Sequence, residues 1–181
     1  MAKEWIDVAD TAVKIGLGSL ITGIFTYIGI KFSHSSDKNK FMLEHKTKLL
    51  EEIANDAEKY FIAWNGVVSK VGGITKLLPH DQEVIQFTKK QLDAIKEKDA
   101  YLVEAWSQKE SVVSKLRLIK ADLVVDKLVE CSKHEYNLRD LLIFSKEYPN
   151  YTSLVKYRKE LKKLKNDFYK ELAEFYETIQ S

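Results

Sequence analysis

The chain has few of the residues that constrain or specialise a fold: one cysteine, two prolines and three arginines among 181 residues. Cys131 has no second cysteine with which to form an internal disulfide, which indicates a reducing compartment. The arginines are Arg117, Arg139 and Arg158. Because the planar guanidinium is the preferred group for recognising phosphates and guanine edges, so few arginines argue against direct RNA binding.

Patterns typical of catalysis or metal binding are also missing. The histidines His34, His45, His80 and His134 lie far apart and form no pair at helical i, i+4 spacing. Cys131 lies three residues before His134, on the same helical face, and we interpret the two as a semi-buried thiol beside a surface histidine. The sequence therefore predicts no enzyme, no catalytic residue, no metal site and no cofactor.

The longest uncharged run is IGLGSLITGIFTYIGI, residues 15–30, between Lys14 and Lys31. As a helix it covers about 24 Å, less than the ~30 Å hydrocarbon core of a bilayer. The flanking lysines can extend their stems along the core, and apolar neighbours lengthen the helix to roughly 21 residues. We therefore predict one transmembrane helix within an N-terminal segment, residues 1–33.

Two other interpretations of this run remain. A cleaved signal peptide would need a basic start, but Lys3 is outweighed by Glu4, Asp7 and Asp10, and residues 33–36 do not form a clean cleavage site. A buried helix of a soluble protein is the second alternative, because the run lies at the lower length limit for a membrane span.

Lysines are concentrated on the C-terminal side of the run, at Lys31, Lys38, Lys40, Lys46 and Lys48. Because positive charge accumulates on the cytoplasmic side of membrane helices, the N-terminus is expected outside and residues 34–181 in the cytoplasm.

Small residues occupy one face of the predicted membrane helix and bulky residues the opposite face. Small residues let helix backbones approach in lipid, so this face predicts self-association, although glycine and threonine are also simply common in membrane helices. With one such helix per chain, an assembly needs several chains, by default in a closed ring. The candidate pore or oligomer-interface residues are Ala12, Gly16, Ser19, Gly23 and Thr26.

Residues 34–181 are predicted to be an all-α cytoplasmic domain of long, coiled-coil-like helices. Apolar residues recur every seven positions in two segments, at Leu43, Leu50, Ala57, Trp64 and Val71, and at Leu154, Leu161, Phe168 and Phe175. Such seams must be buried against other helices. No stretch alternates as a half-buried strand does.

Turn residues divide this domain. Gly72 and Gly73 are predicted to close the first helix, and Asp81 after Pro79 to cap the next. Residues 148–150 should end a further segment, after which Thr152 or Ser153 caps the last helix. Residues 81–146 remain open between one bent helix and two or three, with a possible capping box at 107–110.

A basic stripe along the last helix could contact RNA or anionic lipid. Because Glu160 and Asp167 interrupt it and it lies opposite the apolar seam, we interpret it as a solvated face. The stripe consists of Lys156, Arg158, Lys159, Lys162, Lys163, Lys165 and Lys170.

The run IGLGSLITGIFTYIGI, the long helical region after it and the lysine-rich, arginine-poor composition resemble one family. These are the small membrane accessory proteins encoded beside the RNA-guided RNase of type VI-B CRISPR systems. The resemblance covers the whole chain in architecture. It implies an oligomeric pore in the bacterial inner membrane, which reinforces antiviral defence by depolarising the membrane once the RNase has cut viral RNA.

That family has been related to HEPN ribonucleases, whose signature is an arginine followed a few residues later by a histidine. No histidine follows Arg139 or Arg158, and His134 lies far beyond Arg117. Ribonuclease activity is therefore not expected. The expected function is a homo-oligomeric membrane pore or pore-like assembly, with the cytoplasmic domain as its assembly and gating domain. The alternative is a membrane-tethered helical scaffold that binds a partner, either an RNA-guided RNase or another cytoplasmic protein.

Overall fold

The structure, a computed structural model, describes residues 37–78 and 86–180 and is all-α throughout them, which confirms the coarse fold class. The predicted membrane segment, its five interface residues and the boundary at residue 33 lie outside these ranges. Among the helices that the structure does describe, none combines the length and apolarity needed to cross a bilayer. These helices are α1 (Asp37–Thr75), α2 (Lys89–Glu104), α3 (Trp106–Leu118), α4 (Asp122–Arg139) with a following π-helical turn (Asp140–Phe144), and α5 (Tyr151–Gln180).

From residue 49 onward the described residues form one compact unit. Helix α5 runs antiparallel to α1, because Trp64 contacts Tyr157 while Glu58 contacts Tyr169 further along α5. The two predicted apolar seams lie largely within the core of this unit. Their buried members are Leu50, Ala57, Trp64, Val71, Leu154, Leu161 and Phe168.

The first predicted break is confirmed, since α1 ends at Thr75, two residues after the glycine pair. Gly72 itself serves a second purpose. A Cβ at this position would lie 3.3 Å from Cδ2 of Leu154, so the missing side chain allows α5 to approach α1 closely.

The middle of the domain resolves into separate helices. Asp81 lies outside the described residues. The helix that follows begins at Lys89 behind a capping box in which the Thr88 amide donates to Oε1 of Gln91 (2.8 Å) and the Gln91 amide donates to Oγ1 of Thr88 (3.3 Å). This capping box was not predicted from the sequence.

The capping box predicted at residues 107–110 is wrong. Ala105 alone separates α2 from α3, so the last carbonyls of α2 lie beside the first turn of α3. The Ser107 hydroxyl donates to the Glu104 carbonyl (2.8 Å) and does not cap an amide of its own helix.

The N-cap predicted for the last helix is also misplaced. The break at residues 148–150 is present, but the cap is Asn150, whose Oδ1 accepts from the Ser153 amide (2.8 Å). Because α5 already begins at Tyr151, Thr152 and Ser153 lie in its first turn.

Helix α4 ends in a π-helical turn. The Ser145 amide donates to the Asp140 carbonyl (2.8 Å), a bond that spans five residues instead of the usual four. The turn follows directly after Arg139, and it buries Leu142.

Candidate functional site

Five polar side chains from four helices converge in what we call the central polar cluster. Its members are Tyr60 of α1, Asp99 of α2, Trp106 of α3, and Glu135 and Arg139 of α4. Asp99 and Glu135 are buried carboxylates, at 8% and 3% exposed. Because a buried charge is costly unless it is paired or hydrogen-bonded, the surroundings of these two groups decide what the cluster can do.

Both carboxylate oxygens of Glu135 accept a hydrogen bond from a neutral donor. The Tyr60 hydroxyl donates to Oε2 (2.6 Å), and Nε1 of Trp106 donates to Oε1 (2.9 Å). Burial, together with the nearby Glu135, raises the pKa of Tyr60 well above its ordinary value, so the phenol keeps its proton and remains a donor. The carboxylate of Glu135 is thereby held in one orientation.

Asp99 and Arg139 form a two-pronged ion pair between α2 and α4. Nε of Arg139 donates to Oδ1 (2.6 Å) and Nη2 donates to Oδ2 (3.0 Å). The guanidinium also lies 4.8 Å from the ring centroid of Trp106 and 5.6 Å from that of Phe144. Planar stacking and a bidentate carboxylate pair are two interactions that arginine makes and lysine does not.

A small cavity lies beside this cluster. It is lined by the carboxylates of Asp99 and Glu135 and by Arg139, together with Trp64 and Leu138, among others. Its volume is about 10 Å³, which is room for roughly one water molecule. Sites for organic ligands are some thirty times larger or more, so this arrangement is a packed polar core, in which Asp99 is paired with Arg139 and Glu135 is hydrogen-bonded by two neutral donors.

A second group of side chains joins α1, α4 and α5. Nε1 of Trp64 donates to the Tyr157 hydroxyl (3.1 Å), which in turn donates to the His134 carbonyl (2.7 Å). The His134 ring stacks on Tyr157 with centroids 3.9 Å apart. Burial lowers the pKa of His134, although the Tyr157 carbonyl and Glu160 partly oppose that effect, and the imidazole therefore tends to be neutral.

The environments of Cys131 and His134 differ from the sequence interpretation. Cys131 is fully buried instead of semi-buried, and His134 is half-buried against α5 instead of lying on the surface. Burial raises the pKa of the Cys131 thiol to about 12, so the sulfur is a neutral thiol near pH 7.

One residue of the basic stripe, Lys165, does not lie on the exposed face in the structure. Lys165 is turned toward α1, where its Nζ lies 2.8 Å from Oε2 of Glu58, and the Tyr169 hydroxyl donates to the same carboxylate (2.8 Å). Other lysines of the stripe, including Lys156 and Lys159, are exposed.

Neither buried carboxylate of the central polar cluster was predicted from the sequence. A signal was present, because Glu135 follows Cys131 by four residues and precedes Leu138 by three, which places an acid in an apolar helical stripe. Asp99 lies between Ile95 and Leu102 in the same manner. An acid on the buried face of a helix indicates a partner on another helix, but it does not identify that partner.

No three acidic, histidine or cysteine side chains in residues 37–78 and 86–180 lie close enough to hold a metal ion. Ala12, Gly16, Ser19, Gly23 and Thr26, the candidate pore or interface residues, lie outside those ranges. Comparisons with protein-family models, curated proteins and solved structures find no match to this chain.

Proposed function

We propose that this chain is a membrane-anchored helical bundle that assembles with copies of itself into a pore or pore-like assembly. The observation that carries the proposal is the uncharged run at residues 15–30, in which the spacing of Gly16, Ser19 and Gly23 would place them on one face of a helix. In lipid, packing of small residues is a principal force between helices, so a face sorted in this way favours assembly over simple anchoring.

The described residues support a role in assembly more than one in chemistry. The buried charges of Asp99 and Glu135 are neutralised or hydrogen-bonded within the bundle, and the cavity beside them has room for about one water molecule. Such a core fixes the relative positions of α1, α2, α3 and α4, and a rigid module of this kind suits a cytoplasmic assembly or gating domain.

In its specific form, the proposal follows the resemblance to the accessory proteins of type VI-B CRISPR systems. The assembly would lie in the bacterial inner membrane, with the N-terminus outside and the bundle in the cytoplasm. It would depolarise the membrane when an RNA-guided RNase has cut viral RNA.

A membrane-tethered scaffold is the second candidate, and exposed apolar residues favour it. Leu118 and Leu123, on either side of the connection from α3 to α4, are 80% and 67% exposed. Exposed apolar side chains of this size offer a contact surface to another protein where they form a contiguous patch.

The variant Gly23→Leu tests the pore against the scaffold. The added side chain prevents close approach of backbones on the small face, whereas Ile24→Val, about 100° around the helix from Gly23, exchanges one lipid-facing aliphatic residue for another. We expect Gly23→Leu to reduce particle mass in detergent and to abolish depolarisation, reported by a potential-sensitive dye, while Ile24→Val does neither. If Gly23→Leu leaves both unchanged at equal expression, the helix is only an anchor and the scaffold is the better proposal.

A further inference from the structure

Four exposed lysines lie on the outward side of the first half of α5, and we call them the α5 basic face: Lys156, Lys159, Lys162 and Lys163. Their spacings of three and four residues place them on neighbouring turns of one side of the helix. Among the described residues no carboxylate pairs with the first three, and Lys163 has one long contact, 3.7 Å to Glu160, between exposed side chains.

Two acids border this face on the side toward α4. Glu160 is near enough to His134 of α4 to influence its pKa, and Asp167 is near enough to Lys127 of α4 to do the same. Glu160 also reaches Lys163, 3.7 Å away, and therefore offsets part of the charge at this edge. On the other flank Glu58 is already paired with Lys165. Between these acids the α5 basic face presents Lys156, Lys159 and Lys162, which form no ion pair among the described residues.

We propose that the α5 basic face docks the bundle on an anionic lipid bilayer. Its lysines span about 10 Å along a straight helix, and a flat negatively charged surface can contact all of them at once. The inference rests on the proposed membrane anchor, which would tie the bundle to a bilayer.

Lipid fits this face better than RNA. Proteins that bind single-stranded RNA stack its bases on aromatic rings, but Tyr157, Phe168 and Tyr169 of α5 are engaged with α1 or α4 and lie off this face. The face offers ammonium groups, which act as point charges and suit lipid headgroups without requiring a fixed geometry.

The test places a fluorescent donor at position 166, an exposed site one turn beyond Lys162, through Asn166→Cys in the full chain. Cys131 is buried and does not compete for the dye. Energy transfer to a headgroup-labelled lipid is compared between phosphatidylcholine vesicles and vesicles that also contain phosphatidylglycerol. We expect transfer to rise at least about twofold with phosphatidylglycerol and to fall again with added salt.

The decisive variant combines Lys156→Gln, Lys159→Gln, Lys162→Gln and Lys163→Gln. In this variant, phosphatidylglycerol should no longer increase the energy transfer. The control variant removes the same number of charges from exposed lysines elsewhere, and its energy transfer should still increase with phosphatidylglycerol. The control consists of Lys76→Gln, Lys89→Gln, Lys90→Gln and Lys96→Gln.

The proposal is overturned if transfer is equal in the two kinds of vesicle, or if the α5 variant and the control respond alike. It is also overturned, in favour of RNA, if the α5 lysines are needed to bind a single-stranded RNA oligonucleotide while phosphatidylglycerol has no effect. Flotation with phosphatidylcholine vesicles at high salt tests the anchor separately. A chain that fails to float there contradicts the proposed function, and its flotation with phosphatidylglycerol vesicles at low salt still tests the α5 basic face.

Discussion

His134 of α4 and Tyr157 of α5 hold each other through three contacts at once. Their rings stack with centroids 3.9 Å apart and planes 11° apart. The Tyr157 hydroxyl donates to the His134 carbonyl (2.7 Å), and Nε2 of His134 lies 3.3 Å from the Tyr157 carbonyl oxygen. Each side chain thus binds the backbone of the other residue, which fixes both the separation and the rotation of the two helices.

Tyr157→Phe should therefore destabilise the bundle. The substitution keeps the ring but removes the oxygen that accepts from Nε1 of Trp64 and donates to the His134 carbonyl. We expect a loss of about 1–3 kcal/mol in the free energy of unfolding, measured by urea unfolding followed by circular dichroism. The matched control is Tyr136→Phe, at a residue that is 61% exposed, and it should leave the free energy of unfolding nearly unchanged. Equal effects of the two substitutions would contradict this account.

The Asp99–Arg139 pair should be energetically coupled. A double-mutant cycle with Asp99→Asn and Arg139→Gln is expected to give a coupling of about 1–3 kcal/mol, because the pair is bidentate and its side chains are only 12% and 17% exposed. The exposed pair Lys127–Glu130, three residues apart on α4, should show no measurable coupling in the same assay. A coupling near zero for both pairs would mean that α2 is held by its apolar contacts alone.

Asp56 should make the bundle sensitive to acid. Burial tends to raise the pKa of Asp56, but hydrogen bonds from Lys115 and Ser111, both 3.0 Å long, outweigh burial and bring the pKa below its ordinary value. A carboxyl whose pKa is lower in the folded state stabilises that state above the pKa of the unfolded chain, about 3.9, and the stabilisation is lost as the pH falls through the folded-state pKa.

Asp56→Asn should accordingly be less stable than the unsubstituted chain near pH 7, and the difference should narrow below about pH 4. Thermal unfolding of both proteins over a series of pH values measures this difference in stability. If the difference is the same at every pH, the charge of Asp56 does not contribute to the stability of the bundle.

The single cysteine should report unfolding. Cys131 is fully buried and the pKa of its thiol is raised to about 12, so the reactive thiolate is scarce and inaccessible in the folded chain. We expect a chromogenic disulfide reagent at pH 8 to react about a thousandfold more slowly without denaturant than with it. Similar rates in the two conditions would place the thiol at the surface.

The orientation of the chain can be tested independently of its assembly. Lysines follow the run at residues 15–30 more densely than they precede it, so the C-terminus is expected in the cytoplasm. Alkaline phosphatase fused after Ser181 should be inactive and a fluorescent protein fused there should be bright, with both fusions at matched expression. An active phosphatase would reverse the predicted orientation.

The seams of α1 and α5 were predictable because burial along a long helix follows one period over many turns. Trp64, Phe168 and Leu154 are buried where that period places them. The separation of α2 from α3 was not predictable in this way, because the chain turns at Ala105, where neither glycine nor proline is present.

The central polar cluster could not be predicted from the sequence, for a different reason. Glu135 receives its hydrogen bonds from Tyr60, 75 residues away along the chain, and from Trp106, 29 residues away. The helical period identifies which residues lie on a buried face, but it does not specify which faces meet. The partner of a buried carboxylate is therefore known only once the packing of the helices is known.

The π-helical turn holds one residue more than the α-helical pattern allows, because an ordinary helical turn would close with one residue fewer between Asp140 and Ser145. Deleting one residue of this turn, such as Leu141, would convert the Ser145–Asp140 bond into an ordinary α-helical one and would leave Ser145 and the residues after it close to their present positions. Deleting a residue from the regular part of α4 would instead rotate every later side chain by about 100° about the helix axis. The turn is therefore the one stretch of this helix where the chain can shorten by a residue without changing which later side chains face the core.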